Sequence, residues 1–487
     1  MAPGFREPLS ATDASFLRIE TEHEPQHVGS LSILEGAPLR DERGALDIDR
    51  LRRHVGSRLH RVPRLRQRIM EVPLSQGRPV WVDDDRFDLD YHVRLTALPR
   101  PGDDEQLSTL MSRLQSLPLD RRRPLWEMWL IDGLEGDEVG LIIKTHHALG
   151  DGIANVDLAM ALVDVEPHPP AAERDPSDRS DVVWEPRPAP SSRDLLGDAI
   201  GRQLTRPLRV GRDALASAVR PRSLVDAASN VVRTAASFSK RPPSAPWNVA
   251  VTPHRRWVHA DVPFDLAAAI RERVDVTLND VVLAACTGAL RRFLLARGDD
   301  VEHRTLRAMV PVSKRGDDEH GDTLGNRISL IIVDLPVAES DPAVRLERLH
   351  ETTRALKRDD GLMDGAQRIV ELADAVPILA TALTRFVSRS IPMNLVITNV
   401  PGPPIPLYLL GAKILRTYPY VEVIDGEGLT MAVVSYDGQL CFGVTSDRDV
   451  LADLDDLARA VEEEFEALLA AVDDRVDDPT SVPFSAD

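Results

Sequence analysis

Residues 140–152 read GLIIKTHHALGDG, and this stretch sets the frame for the rest of the chain. Leu141, Ile142 and Ile143 form an apolar run suited to a buried strand, along which Thr145 and His147 fall on one face and Lys144 and His146 on the other. Gly150, Asp151 and Gly152 supply a tight turn, and Ile153, Val156, Met160 and Val163 then recur at helical spacing. The stretch predicts strand, turn, helix. A histidine at a strand end, held by such a turn, presents one ring nitrogen to a cleft while the other is fixed, which is the arrangement of a general base. With an ordinary pKa of about 6.5 it is largely neutral at pH 7 and takes a proton from an alcohol or amine. Asp151 either pairs with the imidazole or turns away to an arginine and braces the loop. Bracing is the reading we favour, because a polarising carboxylate more usually comes from a distant segment. Histidines on opposite faces of a strand cannot chelate one ion, and no further His or Cys stands at ligand spacing nearby, so no metal is expected.

The chain has 487 residues, room for two or three domains, with 43% hydrophobic and 28% charged residues. It carries no run of 18 apolar residues and no start resembling a signal peptide, so a cytoplasmic protein is expected. Cys286 and Cys441 sit in apolar contexts and make no disulfide framework. A net charge of −19 argues against nucleic acid as a partner and against the whole surface adhering to anionic lipid.

In chain order, Leu9–Glu20 opens with capping residues, and His27–Leu34 reads as a strand. Leu51–Ile69 reads as an arginine-rich helix interrupted at Pro63. Pro79–Asp83 and Phe87–Val93 are short strand candidates, and Leu107–Leu117 is a helix. Trp126 and Trp129, ahead of the histidine strand, read as core. Residues 166–190, rich in Pro, Asp, Ser and Arg, make a linker. Residues 191–241 set ten basic residues against four acids along a broken amphipathic pattern. That segment either lies on a membrane or lipid droplet, arginines at headgroup level, or forms a helix pair covering the domain junction. Thr277–Phe293 starts with a capping residue and continues as a helix. Arg307–Ser313 and Thr323–Ile332 are strand candidates, and residues 378–391 a helix. Asn394–Pro406 is a strand stopped by a proline-glycine turn, Leu429–Tyr436 and Gln439–Ser446 pair through a Tyr436-Asp437-Gly438 hairpin, and Ala452–Val472 is an acidic amphipathic helix.

His146, His147, three residues, then Asp151 and Gly152 match the HHxxxDG motif of the coenzyme A-dependent acyltransferase superfamily, whose members resemble chloramphenicol acetyltransferase in fold. Around it, PLWE (124–127), TLND (277–280), VPVSKR (310–315), LGN (324–326) and NVPGP (399–403) resemble blocks of the bacterial wax ester synthase/diacylglycerol acyltransferase family, in that family's order. The resemblance implies an α/β (α+β) fold of two chloramphenicol acetyltransferase-like domains, each a mixed sheet with helices, and an active-site tunnel between them. The domains expected are 1–165 with the motif, a connection at 166–250, a second domain at 251–475 and a disordered tail at 476–487. The resemblance further implies His147 as general base, with His146, Asp151 and Gly152 completing the motif, Arg315 bracing Asp151, and Ser313 and Asn326 as possible hydrogen-bond donors. Asn279, Thr398 and Asn399 are expected to contact substrate.

Acyl-coenzyme A is the implied co-substrate and diacylglycerol or a fatty alcohol the acceptor, with no cofactor. Gly150 departs from the bulkier apolar residue common in the family, so a looser loop and an altered tunnel wall are expected. Two other readings share the motif or the fold: a condensation-domain-like or polyketide-associated acyltransferase using a carrier protein, and a non-catalytic lipid-surface binding protein.

Overall fold

The computed structural model describes residues 5–150, 159–168, 184–199, 201, 243–313, 328–357 and 393–477. The first part of the chain supplies β1 (Glu7–Pro8), α1 (Ala11–Ile19), β2 (His27–Glu35), α2 (Ile48–Arg58), β3 (Gln67–Met70), β4 (Val80–Asp83), α3 (Leu89–His92), β5 (Val93–Ala97), α4 (Asp104–Ser116), β6 (Trp126–Asp132) and β7 (Glu138–His146). The second supplies β8 (Arg255–Pro263), α5 (Phe264–Val274), α6 (Leu278–Ala296), β9 (Leu306–Ser313), β10 (Ile328–Leu335), α7 (Pro342–Lys357), β11 (Leu395–Val400), β12 (Tyr408–Leu409), β13 (Ala412–Val421), β14 (Leu429–Tyr436), β15 (Gln439–Asp447) and α8 (Leu454–Asp477).

These strands form two six-stranded mixed sheets, β12-β13-β2-β7-β6-β5 and β10-β9-β11-β14-β15-β8, beside a small sheet β1-β4-β3. The first sheet is not built from the first part alone. β13 pairs antiparallel with β2 from Val421↔Val28 to Ile414↔Leu34, so a strand from near the end of the chain lies two places from the histidine strand β7. In the second sheet β11 runs parallel to both β9 and β14, and β14 turns back into β15 through a two-residue Asp437-Gly438 loop. Both loop residues have positive φ, 41° and 82°, the geometry that matches the twist of a hairpin.

Burial follows the periodicities in the sequence. α8 buries Leu454, Leu457, Val461, Phe465, Leu468 and Val472 at helical spacing. α6 is apolar almost all round and lies under α7 and α8, with Gly288 letting Glu464 and Arg345 approach: a Cβ there would stand 2.1 Å from Glu464 Cδ. The halves meet through a shared cluster in which Leu31, Met111 and Ile142 of the first part pack with Trp257, Tyr420 and Val434 of the second. Polar contacts fix that junction too, since Ser112 and Ser116 of α4 accept the backbone N–H groups of Trp257 and Arg255 on β8.

Two expectations fail locally. The helix expected over Leu51–Ile69 ends at Arg58, and Gln67–Met70 is a strand pairing with β4, because Pro63 starts a short 3₁₀ turn rather than kinking a continuing helix. Phe87–Val93 is mainly the short helix α3, capped by the Asp88 side chain, with the strand beginning at Val93. The helix expected over residues 378–391 and most of 191–241 lie outside the described residues.

Candidate active site

β7 is hydrogen-bonded on both sides, to β2 and to β6, and ends at His146. His147 is therefore not a strand residue; it opens a one-turn 3₁₀ helix, His147–Leu149. Its backbone N–H donates to Gln26 O at 2.8 Å, and that of His146 donates to Leu125 O, within the PLWE block, at 3.0 Å. The ring that caps the turn is that of His146, whose Nδ1 accepts the Ala148 N–H at 2.9 Å. An Nδ1 used as acceptor leaves the proton of the neutral ring on Nε2, which lies 3.3 Å from Glu20 Oε1.

Glu20, at the end of α1, is the centre of this anchorage. Its Oε2 accepts both Nε and Nη2 of Arg121, and its Oε1 accepts the Gln26 N–H at 3.2 Å. Burial alone would raise its pKa, but His146 and Arg121 hold it down at about 2. Burial lowers the pKa of His146, and of His27, whose Nε2 stands 3.5 Å from the same carboxylate, with Lys144 acting in the same direction on His27. At neutral pH this is one carboxylate with a guanidinium and two uncharged imidazoles around it. The Lys144 ammonium, on the His146 face of β7, donates to Leu114 O and Leu117 O and so closes the C-terminal end of α4.

The His147 ring points elsewhere. It stacks on Phe16 with centroids 4.1 Å apart and planes 3° from parallel, and its Nε2 lies 3.9 Å from Glu422 Oε1. Glu422 follows β13, so the second part of the chain reaches the motif by way of the first sheet. Its side chain is 9% exposed and that of His147 16%. Burial raises the Glu422 pKa, opposed by His147 and Arg255.

The other expected residues divide. Trp126 is core, donating from Nε1 to Leu65 O under the stacked ring of His92. In TLND, Thr277 and Asp280 form a reciprocal capping box at the start of α6, and Asp280 also accepts from Thr353 Oγ1 and lies 2.9 Å from His350 Nδ1. Asn279 keeps its Nδ2 buried without a hydrogen-bond partner among the described residues. Thr398 and Asn399 lie on β11 in the second sheet. Asp151, Gly152, Arg315 and Asn326 lie outside the described residues, as does the Ser313 side chain. Gly150 has an extended backbone, φ 166° and ψ 169°, which any residue adopts, so its own conformation does not call for glycine. Glu20, Phe16, Arg121 and Glu422 were not singled out from sequence. Glu20 and Phe16 stand in the LSATDASFLRIE segment, beyond its capping start, where no motif or spacing marks them.

Paired histidines on a strand–turn unit, at the junction of two sheet-bearing halves, define an acyltransferase of the chloramphenicol acetyltransferase-like fold. Residues 9–282 match the wax ester synthase/diacylglycerol acyltransferase catalytic domain and residues 324–469 the C-terminal domain of the same family, and the chain belongs to that family of O-acyltransferases. It is 33% identical over 469 residues to the "Probable diacyglycerol O-acyltransferase tgs1" of Mycobacterium tuberculosis strain H37Rv, covering 95% of this chain and 96% of that one. Among solved structures it resembles the wax ester synthase/diacylglycerol acyltransferase of Marinobacter aquaeolei VT8, at 26% identity and a TM-score of 0.66, over 96% of this chain and 100% of the other. The first condensation domain of the calcium-dependent antibiotic synthetase shares the fold, with a TM-score of 0.58 at 16% identity over 99% of this chain and 98% of that one. No helix among the described residues is long and apolar enough to cross a membrane.

Proposed function

We propose that the protein transfers the acyl group of an acyl-coenzyme A to the hydroxyl of diacylglycerol, of a long-chain alcohol, or of both, giving triacylglycerol or wax ester, with His147 as general base. The observation that supports this reading is the divergence of the paired rings. His146 is fully buried and used up in the turn and at Glu20, whereas His147 leaves the sheet and faces the other half with part of its surface exposed. One histidine holds the turn, and the other keeps part of its surface open toward a ligand. His147 takes the hydroxyl proton as the oxygen bonds to the thioester carbon; the tetrahedral oxyanion then collapses, the carbon–sulfur bond breaks, and the imidazolium returns the proton to the leaving thiolate. No covalent enzyme intermediate is needed. Asn279, with its buried amide, is the oxyanion donor we favour, and Thr398 and Asn399 are assigned to the substrate wall. The lipid acceptors place the reaction at a membrane or droplet surface in this reading, with residues 191–241 as the contact.

The test is thiol release from palmitoyl-coenzyme A with hexadecanol, dioleoylglycerol or no acceptor. Wild type is expected to release thiol only with an acceptor, and His147→Ala to be slower by about 10² to 10⁴. Acceptor-independent release, or none with either alcohol, refutes the assignment.

A further inference from the structure

The mechanism above gives no part to Glu422, yet its carboxyl stands near Nε2 of His147. Three observations single it out. Oε1 lies 3.9 Å from that nitrogen, too far for a direct hydrogen bond yet close enough for a single hydroxyl oxygen to sit against both. Oε2 is buried and has no hydrogen-bond partner among the described residues. And the carboxyl is brought in by the strand that ties the two parts together, on the face of β13 that also carries the buried Tyr418 and Tyr420.

A buried, half-satisfied carboxyl costs stability, and a fold keeps one where something else depends on it. The nearest structural use is to balance the buried guanidinium of Arg255, which acts on Glu422 through space. That guanidinium is itself held by the carbonyls of Thr252 and His23, so it does not need Glu422 to fix its position.

We propose that Glu422 is the charge partner of the base: its carboxylate stabilises the imidazolium formed at His147 during transfer and orients that ring, so the second part of the chain completes the catalytic group of the first. The proposal rests on His147 being the base. When the acceptor oxygen loses its proton to Nε2, positive charge appears within about 4 Å of Oε1, in a site from which water is largely excluded. Phe16 covers one ring face, and the ring edge that carries Nε2 is turned toward Glu422. The proton itself stays between substrate and His147; Glu422 neither forms nor breaks a bond.

Glu422→Gln keeps the shape and removes the charge. The expected result is a fall in kcat of about 10² to 10³, with KM for acyl-coenzyme A little changed. The acid limb of the kcat/KM profile is expected to move to lower pH, because the ring loses a neighbouring negative charge. Glu422→Asp, which keeps the charge, is expected to leave the acid limb at its wild-type position even where the rate falls. In a His147→Ala background Glu422→Gln is expected to have no further effect. A wild-type rate and pH profile in Glu422→Gln overturns the proposal, as does an equal loss with or without His147. Absence of acceptor-dependent transfer by wild type would instead remove the base assignment beneath it, and the two failures are told apart in the same assay.

Discussion

At the scale of single residues the site is an anchored histidine beside a partly exposed one, and the anchor makes a pH prediction. Glu20 has its pKa held at about 2 against an ordinary 4.5. A carboxyl lowered on folding contributes stability that is fully present above its unfolded pKa and is lost as the pH falls through its folded value. The contribution of Glu20, on the order of 2–3 kcal/mol, should therefore be complete above about pH 5 and fade toward pH 2. Urea midpoints measured across that range are expected to fall less steeply for Glu20→Gln than for wild type, with the mutant less stable near neutrality. The histidines and the strand beneath them were legible in the sequence, because residue type, alternation and turn chemistry all fall within 13 adjacent positions. Which ring held the turn was not legible. Strand alternation alone assigned both rings to β7, whereas the chain leaves the sheet after His146. Glu422 carries no local pattern at all: nothing in VEVIDGEG distinguishes it until β13 pairs with β2 and brings it opposite His147.

At the scale of elements, the motif blocks turn out to do different kinds of work. PLWE positions the histidine strand through the Leu125 carbonyl, and TLND begins α6, with Asp280 receiving the Thr277 N–H, the Thr277 and Thr353 hydroxyls and a His350 ring nitrogen. Asp280→Ala strands those groups in a buried place and removes half of the capping box. A loss of about 2–4 kcal/mol is expected, read as a lower urea midpoint with an unchanged m-value. Long elements with one clear period were legible: α6, α8, β9 and the β14–β15 hairpin stand where their patterns put them. Arginine-rich Leu51–Ile69 misled because apolar residues every three or four positions fit both a helix and a short helix followed by a strand. Pro63 marks the boundary between the two, and the contact that makes Gln67–Met70 a strand is its pairing with β4.

At the scale of the whole molecule the two parts of the chain are laced, not merely adjacent. β12 and β13 extend the first sheet past β2, and without them β2 becomes an open edge with unpaired backbone groups. A chain stopped at residue 392 is expected to leave that edge open and to collect in the insoluble fraction. Co-expression of residues 393–487 from a second message should return part of it to solution, and recovery of soluble, cooperatively melting protein without that fragment would contradict this account of the sheet. Two mixed sheets were legible from the order of motifs, but their sharing was not, because pairing across nearly 400 positions leaves no trace in local periodicity (Thr417↔Ser32). The crossing of β13 also bears on how such proteins can be recombined. A chimera joined between the halves would set its host's histidine against its donor's β13, and with it the carboxyl that faces the proposed base. Any shift in substrate preference measured in that hybrid would then mix a change of substrate wall with a change of acid–base chemistry. Separating the two calls for moving residues 408–422 together with the first half, as though they were its own.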